Sequence, residues 1–131
     1  MIRINVSIAA SATQIWDCFT QAEHVVHWNF ASEDWHCPHA SNDLTEGGSF
    51  AYTMAAKDGS FSFVLKGTFD RIAPPFELDY HLEDGRTVQV RISENGEVVQ
   101  EFEPEHENSE ELQQQGWQSI LNAFKKYVES K

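Results

Sequence analysis

The sequence is poor in basic residues and in cysteine. It has 9 lysines and arginines against 21 aspartates and glutamates, which gives a formal net charge of −12. Such a charge repels phosphate backbones and anionic lipid surfaces, so we expect neither nucleic acid nor a membrane as a partner. The two cysteines, Cys18 and Cys37, are too few for a disulfide framework, and we expect both to be free thiols.

The chain also lacks a long apolar run. It begins MIRINVSIAA, in which polar and apolar residues alternate, and no basic start is followed by an apolar stretch that would direct secretion. We therefore expect a cytoplasmic protein. The length of 131 residues fits one domain, residues 1–131, with no repeat or linker inside it.

Alternation of apolar and polar residues predicts a series of strands. It covers residues 2–8 and recurs around residues 50–54, 61–69, 78–82 and 88–92. Compact turn signals separate the later segments, three of them with an Asp-Gly or Asn-Gly pair, so successive strands are predicted to be antiparallel neighbours. The segment EVVQEFE that follows breaks strict alternation, and a bulge is predicted there.

Helices are predicted in two places. Ser11 and Thr20 are each followed three residues later by Gln or Glu, the spacing of a capping box, which predicts two short helices after the first strand. From Ser109 onward apolar residues recur at helical intervals and predict a helix of about 22 residues. Gly116 within it is predicted to allow a close approach to the sheet, since the long helix alone could cover the apolar face of the sheet.

Three segments of the chain carry a resemblance to a known family. In their order and spacing, EGGSF (46–50), GTFDRIAPPFEL (67–78) and GWQSILNAFKKYV (116–128) resemble the Hsp90 ATPase activator-like branch of the SRPBCC (START, Bet v 1-like) superfamily. The resemblance covers nearly the whole chain. It implies an α+β helix-grip fold, in which a curved antiparallel sheet wraps around the long C-terminal helix. It also implies a hydrophobic cavity between sheet and helix, entered near the two short helices.

The resemblance leaves three functions open. Relatives of this fold bind lipids, hormones and polyketides, a few act as cyclases, and the eukaryotic activator stimulates a chaperone ATPase. The chain is therefore expected to bind a small hydrophobic or aromatic molecule in the cavity, to act on a chaperone partner, or to cyclise a polyketide-like substrate. No catalytic constellation is recognisable in the sequence, so we favour binding and expect no cofactor.

Candidate ligand contacts come from the strands and from the long helix. Tyr52, Phe63 and Tyr80 fall on the predicted inner face of the sheet, and Trp117 on the apolar stripe of the helix. Each could instead simply fill the core. Glu101 would point inward if the predicted bulge turns it, and its raised pKa would then suit a general base. Otherwise it is solvated with the acidic residues that follow.

Two tryptophans and a histidine are candidates for the rim of the pocket. Trp28 and Trp35 have large apolar rings with a single donor, which suits a site that is apolar inside and wet outside. His36 could exchange a hydrogen bond with a ligand between them. The alternative is that both rings seal the end of the core.

The segment from residue 24 to residue 40, HVVHWNFASEDWHCPHA, contains four histidines and a cysteine. These are good zinc ligands, but their spacing matches no zinc motif, so we predict no metal site. A nucleophilic Cys37 beside a histidine base would need an exposed and positive setting. The alternative is a buried thiol that packs like a small apolar side chain.

Overall fold

The computed structural model describes residues 1–131 and contains seven strands and three helices. The strands are β1 (Ile2–Ser7), β2 (Trp35–Asn42), β3 (Ser49–Ala56), β4 (Ser62–Ala73), β5 (Glu77–Leu82), β6 (Thr87–Ile92) and β7 (Glu97–Phe102). The helices are α1 (Ala12–Thr20), α2 (Ala22–Val25) and α3 (Glu110–Glu129). None of the helices is both long and apolar enough to cross a bilayer.

All seven strands belong to one antiparallel sheet, in the order β1-β7-β6-β5-β4-β3-β2. The sheet curls into a half-barrel around α3, which confirms the predicted helix-grip architecture. The first strand pairs with the last, with Ile2 opposite Phe102. At the other end of this pair the Ile8 N–H donates to the Gly96 carbonyl oxygen at 2.8 Å. Gly96 has a φ of 87°, and a Cβ there would collide with the Ile8 carbonyl oxygen, so the junction requires glycine.

The helix starts are confirmed at α1 and α3 but not at α2. The hydroxyls of Ser11 and Ser109 each accept a hydrogen bond from the backbone N–H three residues later, at 3.1 Å. The predicted cap at Thr20 is wrong, because its hydroxyl donates to the Trp16 carbonyl oxygen at 2.8 Å and α2 begins without a side-chain cap. Threonine makes this bond one turn back because its hydroxyl can reach the carbonyl four residues earlier.

Strand β2 was not predicted from the sequence, which placed Trp35 in a loop. Its register shifts between His36 and His39, so the pairing with β3 is interrupted around Pro38. Proline cannot donate to a strand ladder and is tolerated here because β2 is the edge of the sheet. The interruption removes the alternation by which a strand is recognised in a sequence.

The bulge predicted in β7 is wrong. This strand pairs in unbroken register with β1 on one side and β6 on the other, and the second bulge of the sheet lies in β4 between Phe69 and Arg71. Gln100 is therefore on the inner face and Glu101 on the outer face. Glu101 lies opposite Arg3 of β1, a cross-strand partner that suits a carboxylate left in water.

The core lies between the inner face of the sheet and one side of α3. Phe124, Leu121 and Val128 of the helix are fully buried, and so are the valines of β6. Leu112, which was predicted on the same stripe, is instead 56% exposed. The prediction for Gly116 is also wrong, because a Cβ at this position would meet no atom within 4 Å. Leu112 and Gly116, which are one helical turn apart, thus lie on the solvent side of α3.

Candidate functional site

A cavity of about 320 Å³ lies between the inner face of the sheet and α3. Two thirds of the 21 side chains around it are hydrophobic. The sheet contributes the floor, α3 the roof, and the ends of α1 and α2 close one side. The hydrophobic residues of the lining are Phe19, Trp28, Phe50, Tyr52, Met54, Phe63, Leu65, Phe69, Leu78, Tyr80, Leu82, Trp117, Ile120 and Leu121.

Four aromatic rings form a cluster on the floor. Phe50 lies at its centre, with ring centroids 4.9 Å from Tyr52, 5.3 Å from Phe69 and 5.3 Å from Tyr80. Directly opposite Phe50 on β4 is Gly67, where a Cβ would approach the Phe50 ring to 2.5 Å. The missing side chain leaves room for the Phe50 ring to pack against the backbone of β4.

The closed side of the cavity is a second aromatic cluster. Trp28 stacks on Phe19 at 5.2 Å, and both meet the ring of Phe124 edge to face, at 4.8 and 5.3 Å. The Trp28 indole N–H donates to the Cys18 carbonyl oxygen at 2.8 Å. Because its donor is used and its ring is buried, Trp28 seals this end of the cavity and does not form a wet rim, the other role that the sequence left open.

Two tyrosine hydroxyls face the cavity, and both have polar partners. The Asn42 amide donates to the Tyr52 hydroxyl at 3.1 Å and to the Thr20 carbonyl oxygen at 2.7 Å. The Gln100 amide donates to the Tyr80 hydroxyl at 3.3 Å. Burial raises the pKa of Tyr52 to about 12 and raises the pKa of Tyr80 further, so both hydroxyls keep their protons and remain donors at neutral pH.

The opening of the cavity is polar. The loop between β7 and α3 is held by Gln113, whose side chain accepts from the Glu105 N–H at 2.8 Å and donates to the Asn108 carbonyl oxygen at 2.9 Å. On the other side Arg86 pairs with Asp84 at 2.7 Å. Arg86 and Glu105 are the charged residues of the lining, and both belong to loops at the ends of strands. The deeper cavity therefore offers no counter-ion to a charged ligand.

The structure brings five of the eight predicted contact residues together. These five all line the cavity: Trp28, Tyr52, Phe63, Tyr80 and Trp117. The Trp117 ring also stacks on Phe102 at 3.8 Å, so one of its faces is used in the core.

The other three predicted contact residues do not line the cavity. Trp35 lies 6.1 Å from Phe63, between ring centroids, beside the cavity. His36 pairs with Ala55 and so points to the outer face of the sheet. Glu101 is also on the outer face, because the bulge that was to turn it inward is absent. The general base that an inward Glu101 would supply is therefore not in this cavity, and the solvated alternative holds for this residue.

The histidines and cysteines are distributed over separate surroundings. His24 Nδ1 is 2.6 Å from the Tyr127 hydroxyl, and His27 stacks on the same ring at 5.6 Å. No three side chains of His, Cys, Asp or Glu come together as metal ligands. Cys18 and Cys37 are both free and buried, and burial raises the pKa of each thiol. A raised pKa disfavours the thiolate that a nucleophile needs.

The amides of Asn29, Asn42 and Gln100 were missed by the sequence analysis. Asn42 lies in the unpredicted strand β2, and the predicted bulge left the direction of Gln100 undefined. Asn29 follows Trp28 in a turn, where no periodic pattern indicates its direction. An unbroken alternation at Val98, Gln100 and Phe102 was the one available signal, and the adjacent Val99 obscured it.

Comparison with known proteins places this chain in a family. Residues 9–129 match the family described as "Activator of Hsp90 ATPase homolog 1-like protein". The solution structure of the AHSA1-like protein from Aeromonas hydrophila is 38% identical, covers 98% of this chain and 92% of that chain, and superposes with a TM-score of 0.93. A solution structure from Cytophaga hutchinsonii is 41% identical over the same shares, with a TM-score of 0.84.

More distant proteins share the fold alone. The crystal structure of a Nitrosomonas europaea protein is 15% identical, covers 98% of this chain and 93% of that chain, and has a TM-score of 0.81. Among curated proteins, none matches the chain. The fold is one that supports ligand-binding and Hsp90 ATPase activator-like proteins. The chain belongs to the family of activator of Hsp90 ATPase homolog 1-like proteins.

Proposed function

We propose that the protein binds a small, uncharged, mainly apolar or aromatic molecule in the cavity between the sheet and α3. The supporting observation is the open volume of about 320 Å³ within a hydrophobic lining. A dry apolar cavity of roughly 150 Å³ is enough to hold benzene, so a molecule of two fused rings has room here. Binding is driven by the release of apolar surface from water and by contact with the aromatic floor.

The charge of the ligand follows from the surroundings. The two charged residues of the lining, Arg86 and Glu105, lie at the opening, and Arg86 is already paired with Asp84. A carboxylate or ammonium group of the ligand that moved past them would be buried without a counter-ion. The free energy needed to take this charge out of water exceeds what the apolar contacts contribute. Neutral ligands are favoured for this reason.

A pair of substitutions on neighbouring residues of β4 tests this function. Leu65 lines the cavity, whereas Val64 is exposed on the other face of the strand. We expect Leu65→Trp to fill the cavity and to weaken binding of 2-methylnaphthalene by about tenfold or more, measured by titration calorimetry. Val64→Trp adds the same ring outside and should bind like the unsubstituted protein. Equal binding by both variants would place the ligand elsewhere, and no binding to the unsubstituted protein would contradict the function.

A second function is favoured by the family and by one surface feature. Beside the cavity Phe61 is 60% exposed and Phe63 43% exposed, and Trp35 lies 6.0 and 6.1 Å from their rings. Exposed apolar clusters of this kind are typical of contact surfaces for other proteins. A chaperone is then the candidate partner. Stimulation of an Hsp90 ATPase by the purified protein, lost in Phe61→Ser, would support this second function, and no stimulation would exclude it.

A further inference from the structure

Asn29 is a polar side chain in an apolar wall of the cavity. It follows Trp28 in the turn after α2 and is only 6% exposed. Its backbone N–H donates to the Val25 carbonyl oxygen at 3.1 Å, but its side-chain amide takes part in no hydrogen bond of the protein. Every side-chain nitrogen or oxygen that is sealed off has a partner, so this amide reaches open space, and the cavity is the open space that Asn29 lines.

Three other amide side chains near the cavity are already engaged, and that of Asn108, which also lines it, is exposed to solvent. Asn42 is bonded to Tyr52 and to the backbone, Gln113 holds the loop before α3, and Gln100 donates to Tyr80. The amide of Asn29 keeps two donors and a carbonyl oxygen free. A buried amide with nothing to bond is destabilising, so water or a ligand must satisfy it.

A ligand oxygen fits this position better than a charged group. Asn29 is next to Trp28 on the closed side of the cavity, where the surrounding rings are those of Phe19 and Phe124. Neither of the charged lining residues belongs to this side, since Arg86 and Glu105 lie at the opening. A hydroxyl or carbonyl can pair with the amide without bringing a charge out of water.

We infer that Asn29 is the polar anchor of the cavity, and that the ligand is an aromatic or apolar molecule with one uncharged hydroxyl or carbonyl oxygen bonded to the Asn29 amide. This inference rests on the proposed function and adds the polar group of the ligand to it. The apolar body lies over the rings of Phe50 and its neighbours, while the oxygen points toward α2.

Two probes of the same shape test the anchor. 2-Naphthol and 2-methylnaphthalene differ by a hydroxyl in place of a methyl group, and both are uncharged at neutral pH. We expect Asn29→Leu, which keeps a similar volume, to weaken 2-naphthol binding by about tenfold relative to 2-methylnaphthalene. The affinity for 2-methylnaphthalene should stay within about threefold. Tyr80→Phe keeps the ring and removes one of the two tyrosine hydroxyls that face the cavity, and should leave the preference unchanged within about threefold.

The outcomes separate this inference from the proposed function. If both probes bind and Asn29→Leu leaves their ratio of affinities unchanged, Asn29 is not the polar anchor, and the proposal that the ligand binds in the cavity is unaffected. If the preference disappears in Tyr80→Phe but persists in Asn29→Leu, the anchor is again wrong. If neither probe binds the unsubstituted protein, both proposals fail.

A measurement on the unsubstituted protein covers the case in which Asn29→Leu does not fold. The side-chain NH₂ signals of Asn29 in a ¹⁵N-resolved NMR spectrum should shift strongly with 2-naphthol and weakly with 2-methylnaphthalene. The signals of Asn42, whose amide is bonded within the protein, are the internal control. Equal shifts of the Asn29 signals with both probes would overturn the anchor.

Discussion

The two halves of α3 meet the sheet in different ways. In the C-terminal half, Leu121, Phe124 and Val128 are each at most 2% exposed, and side chains fill the space between helix and sheet. In the N-terminal half, Gln113 and Trp117 line the cavity together with Phe63 of the facing sheet, which is half-exposed, so open space remains between helix and sheet. One helix therefore packs at one end and spans a cavity at the other.

The difference lies in what covers each half. The C-terminal half is enclosed from a second side by α1 and the turn after α2, whose Phe19 and Trp28 rings contact Phe124. The N-terminal half has only the sheet beneath it and the loop held by Gln113 beside it. We infer that the packed half supplies most of the stability, and that the open half can lack a tight core because the rest of the molecule holds it in place.

The largest expected effect is the loss of packing in the closed half. Phe124→Ala removes a fully buried ring that two other rings contact, and should lower the free energy of unfolding by about 3 to 5 kcal/mol. Leu112→Ala, a truncation on the same helix in the open half, should change it by less than about 0.5 kcal/mol. Urea unfolding measures both values. Similar losses from the two substitutions would remove the distinction between the halves.

An intermediate effect concerns Tyr52 on the floor of the cavity. Its phenol ionises near pH 10 in an unfolded chain, but burial raises the pKa to about 12 in the folded protein. The folded state therefore holds this proton more tightly, and the resulting stability is complete below pH 10 and is lost as the pH rises to 12. Two pKa units correspond to about 2 kcal/mol once the partial exposure of the ring is allowed for.

The measurement compares unfolding of the unsubstituted protein and Tyr52→Phe from pH 9 to pH 12. The variant should lose about 2 kcal/mol less over this range, because phenylalanine has no proton to release. Tyr80 and the two buried thiols, whose pKa values burial also raises, contribute to the decline in both proteins. If the free energies of unfolding of the two proteins instead fall in parallel above pH 10, Tyr52 is in contact with water. The floor of the cavity would then be more open than the burial of this residue indicates.

The smallest expected effect is a gain in stability in the open half. Gly116 lies within α3, and a Cβ there would meet no other atom within 4 Å. Gly116→Ala should therefore stabilise the protein by about 1 kcal/mol, through the lower backbone entropy of the unfolded chain, and raise the Tm by about 3 °C. Ligand binding should be unaffected. A loss of stability would mean that position 116 is in contact with other residues and is not open to solvent.

Regular segments were predictable from the sequence, and irregular ones were not. Strands with clean alternation, such as the one carrying Leu78, Tyr80 and Leu82, and helices with a serine cap were identified because the signal lies within a few neighbouring residues. Strand β2 was missed because Pro38 and the shifted register destroy the alternation. An inward orientation of Glu101 was left open because a local irregularity at Val99 was taken for a bulge.

The candidate site was predicted in its aromatic members and missed in its polar ones. Tyr52, Tyr80 and Trp117 belong to periodic apolar patterns, and such patterns indicate a face. Asn29 lies in a turn, where consecutive side chains follow no period, and its environment depends on where α2 and α3 are placed. The approach of Trp28 to Phe124 joins segments that are distant in the chain.

The sequence by itself determined the alternation of the strands, the serine caps and the apolar stripe of α3, because each depends on interactions between residues near one another in the chain. Only the tertiary structure decided that α3 packs tightly at one end and spans a cavity at the other. Whether a hollow remains depends on how the volumes of side chains from distant segments add up in one space, and no local pattern contains that sum.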